Sequence, residues 1–322
     1  MIRLFRKFRR LLMSWLIRFL RSRLWMSGRH GLSRARTASK VLVITGPTQN
    51  LRLDELREAL NFYGAGLAGQ SLTFSSKFRA LEALNAEFVL FDQPQASWRS
   101  RALGPYLNSY FVDKMHPFAA WEWIRFATDY QGHTPDLAYA QKNFSEYADL
   151  LSRKRLPRTY VFGTGPSLAN ADEALFRDGY KIVCNTVVRN RTFFSNLEPD
   201  FIVAGDALYH FSYTKFAVEF RKDLRERLLE SSCYFVYPAI FDVVVQREFV
   251  GLADRLVPIP VGKHENICVN LKDDFRLPAV GNVLPLLQLP LAATLSRDIF
   301  HWGYDGKAPS DSVNAFWANS SE

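Results

Sequence analysis

Residues 160–168 read Tyr-Val-Phe-Gly-Thr-Gly-Pro-Ser-Leu, an apolar run followed by a turn that contains two glycines. The apolar run predicts a buried strand, and Pro166 is typical of the first turn of a helix. Glycine permits close backbone approach, and the free amides at a helix start donate hydrogen bonds to anions. The stretch therefore predicts a strand-turn-helix unit that binds a phosphate. The predicted phosphate-binding residues are Gly163, Thr164, Gly165, Pro166 and Ser167.

This glycine turn differs from the common phosphate-binding motifs. It is not a Walker loop, because no Gly-Lys-Ser/Thr follows, and its glycines do not have G-x-G-x-x-G spacing. A tight turn that binds no ligand is the simpler alternative.

A regular alternation of apolar runs and helical patterns begins at Thr159. Such alternation predicts an α/β domain with a doubly wound, Rossmann-like parallel sheet, whose ligands bind at the carboxyl ends of the strands. The predicted strands are 159–162, 181–184, 200–204, 234–237, 256–258 and 298–302, with a helix over 216–229 among the connections.

The residues before this alternation predict a smaller α/β domain over 41–155. We expect strands at 41–45 and 87–91, and helices near 54–63 and 77–84. Two further helical patterns, 118–130 and 136–153, form a connector, and Pro157 marks the boundary. The nucleotide-binding domain then covers 156–322.

The positive charge of the chain is concentrated in an arm over residues 1–40. The formal charge is +9, but this arm holds twelve Lys or Arg residues and no acid, so residues 41–322 carry 9 − 12 = −3. A nucleic-acid footprint needs basic residues on a face of the folded body. The distribution therefore argues against nucleic-acid binding.

The arm also has the pattern of a basic amphipathic helix, which lies in the headgroup layer of an anionic membrane. Its longest uncharged run, Leu11–Ile17, is far shorter than the roughly 20 residues that span a bilayer. We expect a cytoplasmic protein with peripheral contact through residues 1–28 to the inner face of the membrane. An organelle transit peptide, a helix packed on its own protein and a misassigned start codon are alternatives. The three cysteines lack the spacing of a disulfide framework or a zinc site.

Polar residues follow three more predicted strands at the edge where the glycine turn lies. Asn185 follows the second strand, Asp206 the third and Asp305 the last. Carboxylates beside a phosphate repel it unless a cation lies between them, so Asp206 and Asp305 predict Mg²⁺ as a cofactor. Helix capping by either Asp is the alternative.

A helix is expected to begin at Gly281-Asn282 and to run through Leu295, with a kink at Pro290. Gly281 and Asn282 are candidate ligand contacts, although an ordinary N-cap also explains them. His210 and His264 are the candidate general bases, since a general base must lie within hydrogen-bond reach of the acceptor.

The order of these motifs resembles a known group of proteins. The group joins the bacterial sialyltransferases of Campylobacter type to the domain shared by motility-accessory-factor flagellin glycosyltransferases and archaeal hydroxymethylpterin diphosphokinases. The similar residues lie between about Arg158 and Asp311: the Gly163–Leu168 turn, Cys184-Asn185, Gly205-Asp206, Gly281-Asn282 and the strand end Gly303–Gly306.

The resemblance implies a Rossmann-like domain that binds a nucleotide sugar or nucleotide diphosphate. In the sialyltransferases, the glycine turn and the asparagine after the second strand hold CMP-sialic acid, and Gly163, Gly165, Pro166, Ser167 and Asn185 match these positions. A glycine-serine pair corresponds to Gly281-Asn282.

This chain also departs from the group. Thr164 replaces the usual asparagine of the turn, Asp206 replaces an expected asparagine, and Asn282 replaces the serine. The catalytic histidine of the sialyltransferases lies several tens of residues beyond the last Asp motif, whereas this sequence ends seventeen residues after Asp305. Either the sequence is a fragment or another group is the base.

Three functions are therefore expected from the sequence. The first is a glycosyltransferase that moves a sialic-acid-like (nonulosonic) sugar from a CMP donor to a surface glycan or flagellin, with Asp206, Asp305, His210 and His264 as candidate catalytic residues. The second is a Mg²⁺-dependent diphosphokinase that uses ATP. The third is a nucleotide-binding protein without catalytic activity.

Overall fold

A computed structural model describes residues 41–45, 53–64, 72–76, 79–92, 107–112 and 119–305. These residues belong to two compact units, one that ends at Gly132 and one that begins at His133. The division precedes the second connector helix, so that helix belongs to the second unit and not to the first. The predictions for residues 1–40 and for the last residues of the sequence lie outside the described residues.

The first unit contains a parallel sheet with the strand order β2-β1-β3-β4. The central strands β1 and β3 consist of buried apolar residues, as expected for a parallel sheet. Tyr63 stacks on Trp123 with ring centroids 5.3 Å apart. The elements of this unit are β1 (Val41–Ile44), α1 (Leu53–Tyr63), β2 (Leu72–Ser75), α2 (Ala80–Asn85), β3 (Phe88–Phe91), β4 (Ser109–Phe111) and α3 (Ala119–Gln131).

The second unit contains a parallel sheet of six strands in the order β10-β5-β6-β7-β8-β9. The parallel α/β fold class is thus confirmed, and the architecture is consistent with a Rossmann-like domain. Its strands are β5 (Arg158–Phe162), β6 (Gly179–Cys184), β7 (Phe201–Val203), β8 (Tyr234–Pro238), β9 (Leu256–Ile259) and β10 (Asp298–Trp302). Its α-helices are α4 (Leu137–Ser152), α5 (Arg191–Leu197), α6 (Lys215–Glu230), α7 (Asp242–Glu248) and α8 (Leu289–Leu295).

Apolar side chains cover both faces of this sheet. On one face, α4 and α8 pack over the central strands, and Phe144 of α4 contacts Phe201 of β7 at a centroid distance of 6.1 Å. On the other face, Phe193 of α5 contacts Phe162 of β5 at 6.1 Å. Burial on both faces explains why the strands are nearly continuous apolar runs.

The strand order reverses at β5, because β6 to β9 follow on one side of it and β10 lies on the other. In open α/β sheets, ligands bind outside the carboxyl ends of the strands at such a reversal. The turn after β5 and the loop after β10 meet at this position.

The predicted helix over 281–295 is divided in two. A wide π-type turn covers Leu284–Gln288, in which the Leu289 amide donates to the Leu284 carbonyl, and α8 follows. Pro290 lacks the amide that would bond the preceding turn of an α-helix, so the wider turn absorbs the mismatch. None of the helices in the described part of the chain is long and apolar enough to cross a bilayer.

Candidate functional site at the carboxyl ends of β5, β6 and β10

The glycine turn after β5 is bonded to the loop after β10. The Gly163 amide donates to the Trp302 carbonyl at 2.8 Å, and the Gly165 amide donates to the Gly303 carbonyl at 2.8 Å. The Ser167 amide donates to Oδ2 of Asp305 at 3.0 Å. Three amides that the sequence predicted as phosphate donors therefore have acceptors within the protein.

Close approach of these two segments requires glycine at both sides. A Cβ atom on Gly163 would lie 2.4 Å from the Gly303 carbonyl oxygen, and one on Gly165 would lie 2.4 Å from Oδ2 of Asp305. Gly303 has a φ of +75°, which favours glycine. Packing of the chain against itself is thus a sufficient reason for the glycines, independent of any phosphate.

The Asp305 carboxylate stands at the start of the short 3-10 helix Pro166–Asn170, where an anion is stabilised by free amides. Burial raises the pKa of this carboxyl, but hydrogen bonds from the Ser167 hydroxyl and amide outweigh that effect and lower the pKa. Asp305 is therefore itself an anion bound to the glycine turn.

Asp206, the other predicted metal ligand, stabilises a local turn. Its Oδ1 accepts hydrogen bonds from the amides of Leu208 at 2.8 Å and Tyr209 at 2.7 Å. Within the described ranges, no group of three or more His, Cys, Asp and Glu side chains is placed to hold a metal ion. The Mg²⁺ cofactor remains a prediction.

Two buried oxygens at the end of β6 have no hydrogen-bond partner among the described residues: Oδ1 of Asn185 and Oγ1 of Thr186. Thr186 is only 4% exposed, and Asn185 has a left-handed φ of 49°. A buried polar group that is left unpaired costs about 1–3 kcal/mol. This strand end therefore has an unmet capacity for hydrogen bonds.

Gln288 joins the ends of β5 and β6 to the loop after β10, and the sequence predictions missed it. Its fully buried amide donates to the carbonyls of Phe162 at 3.0 Å and Ile182 at 3.2 Å. Its Oε1 accepts the hydroxyl of Tyr304, whose pKa is raised by burial and by Cys184. A lone amide inside the apolar run 283–293 was the available sequence signal.

His210 is a buried residue with a structural hydrogen bond. Its Nδ1 accepts the Asp206 amide at 3.1 Å, and its ring lies 4.4 Å from that of Phe220. Burial and the neighbouring Arg221 lower the pKa of His210 to about 3. The imidazole is neutral at physiological pH and already accepts a proton donor, which favours a structural role over the predicted role as a base.

The remaining predicted residues are more exposed. Oδ1 of Asn282 accepts the Leu284 amide at 2.9 Å, so it caps the turn that begins there. Gly281 and His264 are also exposed, and the His264 carbonyl accepts the Ala279 amide at 2.8 Å. No printed contact brings these three residues to the glycine turn.

A second polar cluster lies at the end of β8 and was not predicted from the sequence. Oδ2 of Asp242 lies 2.7 Å from Nε2 of His133, while its Oδ1 accepts the Tyr237 hydroxyl at 2.6 Å and the Gln246 amide at 3.2 Å. His133 is separated from Asp242 by more than a hundred residues, so no local sequence pattern links them.

Comparisons with known proteins add no assignment to this geometry. No protein-family model, curated protein or solved structure matches the chain.

Proposed function

We propose that the second unit binds a CMP-activated sugar and transfers a nonulosonic-acid-type sugar from it to a glycan or protein acceptor. The observation that supports this proposal is the pair of unpaired buried oxygens at Asn185 and Thr186, beside the reversal point of a Rossmann-like sheet. A nucleotide supplies what these oxygens lack, because ribose hydroxyls and the cytosine amino group are hydrogen-bond donors.

In this proposal, Asn185 and Thr186 bind the base or the ribose, and the glycine turn binds the phosphate. The phosphate competes with the Asp305 carboxylate for the Ser167 amide, since both are anions that need the same donor. Thr164 has an amide without a partner among the described residues and offers the phosphate a first contact. Donor binding is therefore coupled to release of Asp305 from Ser167.

A melting-temperature screen of the full chain against CMP, CDP, UDP and ATP, each with and without Mg²⁺, tests this proposal. We expect CMP and CDP to raise the melting temperature more than UDP or ATP, and CMP to do so without Mg²⁺. A shift that appears only with ATP and Mg²⁺, together with AMP release, would favour the diphosphokinase instead. Absence of a shift with every nucleotide would contradict both.

A nucleotide-binding protein without catalysis is the second candidate, and it is favoured by the engagement of the turn's amides with the chain itself. It predicts a melting-temperature shift but no release of CMP from any CMP-sugar in the presence of glycan acceptors.

We further propose peripheral membrane contact through the basic arm, on the basis of its charge and apolar period. The full chain is expected to sediment with vesicles that contain anionic lipid, and to remain in the supernatant with neutral vesicles or at high salt. Equal sedimentation with both vesicle types would contradict an electrostatic contact.

A further inference from the structure

The cluster at the end of β8 has the environment of a permanently placed carboxylate. The Asp242 side chain is only 3% exposed, and its two oxygens meet His133, Tyr237 and Gln246. All three partners are able to donate a hydrogen bond, which stabilises a buried carboxylate. Burial and the adjacent Asp242 raise the pKa of Tyr237 well above its usual value, so the tyrosine keeps its proton and donates it.

This carboxylate fixes the orientation of His133. Hydrogen bonding of Nε2 to Asp242 places the ring proton on that nitrogen and leaves the lone pair on Nδ1. Nδ1 has no partner among the described residues, and the His133 side chain is 25% exposed, so a small molecule can reach it. An imidazole held in this way by a buried carboxylate is prepared to accept a proton.

The pair lies on the same edge of the sheet as the unpaired oxygens of β6. Asp242 follows the carboxyl end of β8, and β8 is two strands away from β6. Neighbouring strands are about 4.8 Å apart, so the two strand ends are separated by roughly 10 Å. A nucleotide held at Asn185 would thus direct its sugar along the edge toward β8.

We propose that His133, oriented by Asp242, is the general base of the transfer reaction. This inference rests on the proposed function. The acceptor hydroxyl gives its proton to Nδ1 of His133 while its oxygen bonds to the anomeric carbon of the donor. The bond between that carbon and the phosphate oxygen breaks, and CMP leaves with the electron pair. Asp242 is a positioning residue that stabilises the imidazolium.

Kinetics of His133→Gln in the full chain test the assignment, with His301→Gln as the matched control at an exposed histidine of β10. General bases contribute at least about 100-fold, so we expect His133→Gln to lower kcat by that factor or more. We also expect loss of the acidic limb of the pH–rate profile, with an unchanged CMP-induced melting shift. Wild-type kcat with an unaltered pH profile in His133→Gln would overturn the proposal.

A measurement that needs no substrate separates this inference from the proposed function. Diethyl pyrocarbonate acylates accessible, unprotonated imidazole nitrogens, and mass spectrometry reports each site. We expect His133 to react faster than the more exposed His301, and Asp242→Asn to remove this advantage while Tyr237→Phe keeps it. If no CMP-sugar is turned over, the transfer function fails, and fast Asp242-dependent labelling still supports an activated imidazole. Labelling of His133 no faster than His301 would overturn it.

Discussion

The glycine turn after β5 and the strand end after β6 lie side by side, but their hydrogen-bond balance differs. The turn has the recognisable sequence, and three of its amides already have acceptors in the loop after β10. The end of β6 has no comparable motif, and it keeps two buried oxygens unpaired. A familiar motif can thus be satisfied by its own protein, whereas the need for a ligand lies at its neighbour.

The largest effect that tests this contrast is expected from Gly163→Ala. The new Cβ would lie 2.4 Å from the backbone oxygen of Gly303, which cannot move without breaking the pairing of β10 with β5. We expect a loss of about 2–4 kcal/mol in the free energy of unfolding, measured by urea denaturation. Gly281→Ala is the control, because its Cβ would meet no atom within 4 Å. Equal stability of the two variants would show that the loop after β10 does not lie against the turn.

A smaller effect, on binding and not on folding, is expected from Asp305→Ala. Removal of the carboxylate frees the Ser167 amide, and charges at a helix start contribute about 0.3–1 kcal/mol. We expect CMP to bind a few-fold more tightly, as measured by calorimetry. Weaker binding that depends on Mg²⁺ would instead support the metal role predicted for Asp305 from the sequence.

The smallest effect is the pH dependence of stability at Asp305. The folded-state pKa of this carboxyl lies below its usual value, so its stabilising contribution is present above the unfolded pKa of about 3.9. The contribution disappears as the pH falls through the folded pKa. The difference in melting temperature between the wild type and Asp305→Ala should therefore shrink below about pH 4. A constant difference down to pH 2 would contradict the hydrogen bond to Ser167.

Much of the second unit follows from local sequence. Its six strands were predicted because buried parallel strands are continuous apolar runs between turn residues. The strands β2 and β4 of the first unit were missed, since short runs such as Leu72–Ser75 mix exposed and half-buried residues. The π-type turn before α8 was missed as well, because only the kink at Pro290 is visible in sequence.

The candidate site was less predictable than the fold. The sequence placed polar residues at the correct strand ends, but it could not show that Asp206 and His210 bond to local amides. Nor could it join His133 to Asp242, because that contact is made by tertiary structure alone. Hydrogen-bond partners depend on packing between distant segments, and periodicity carries no record of them.

Titration of CMP into Asn185→Gly tests the central claim most directly, with Glu198→Gly as the control. Both residues have left-handed φ angles, of 49° and 52°, so glycine fits the backbone at each. Loss of the Asn185 oxygen is expected to weaken CMP binding about tenfold, equivalent to about 1.4 kcal/mol. Glu198→Gly should bind CMP like the wild type. Equal affinity of both variants would contradict the claim that the end of β6 binds the nucleotide.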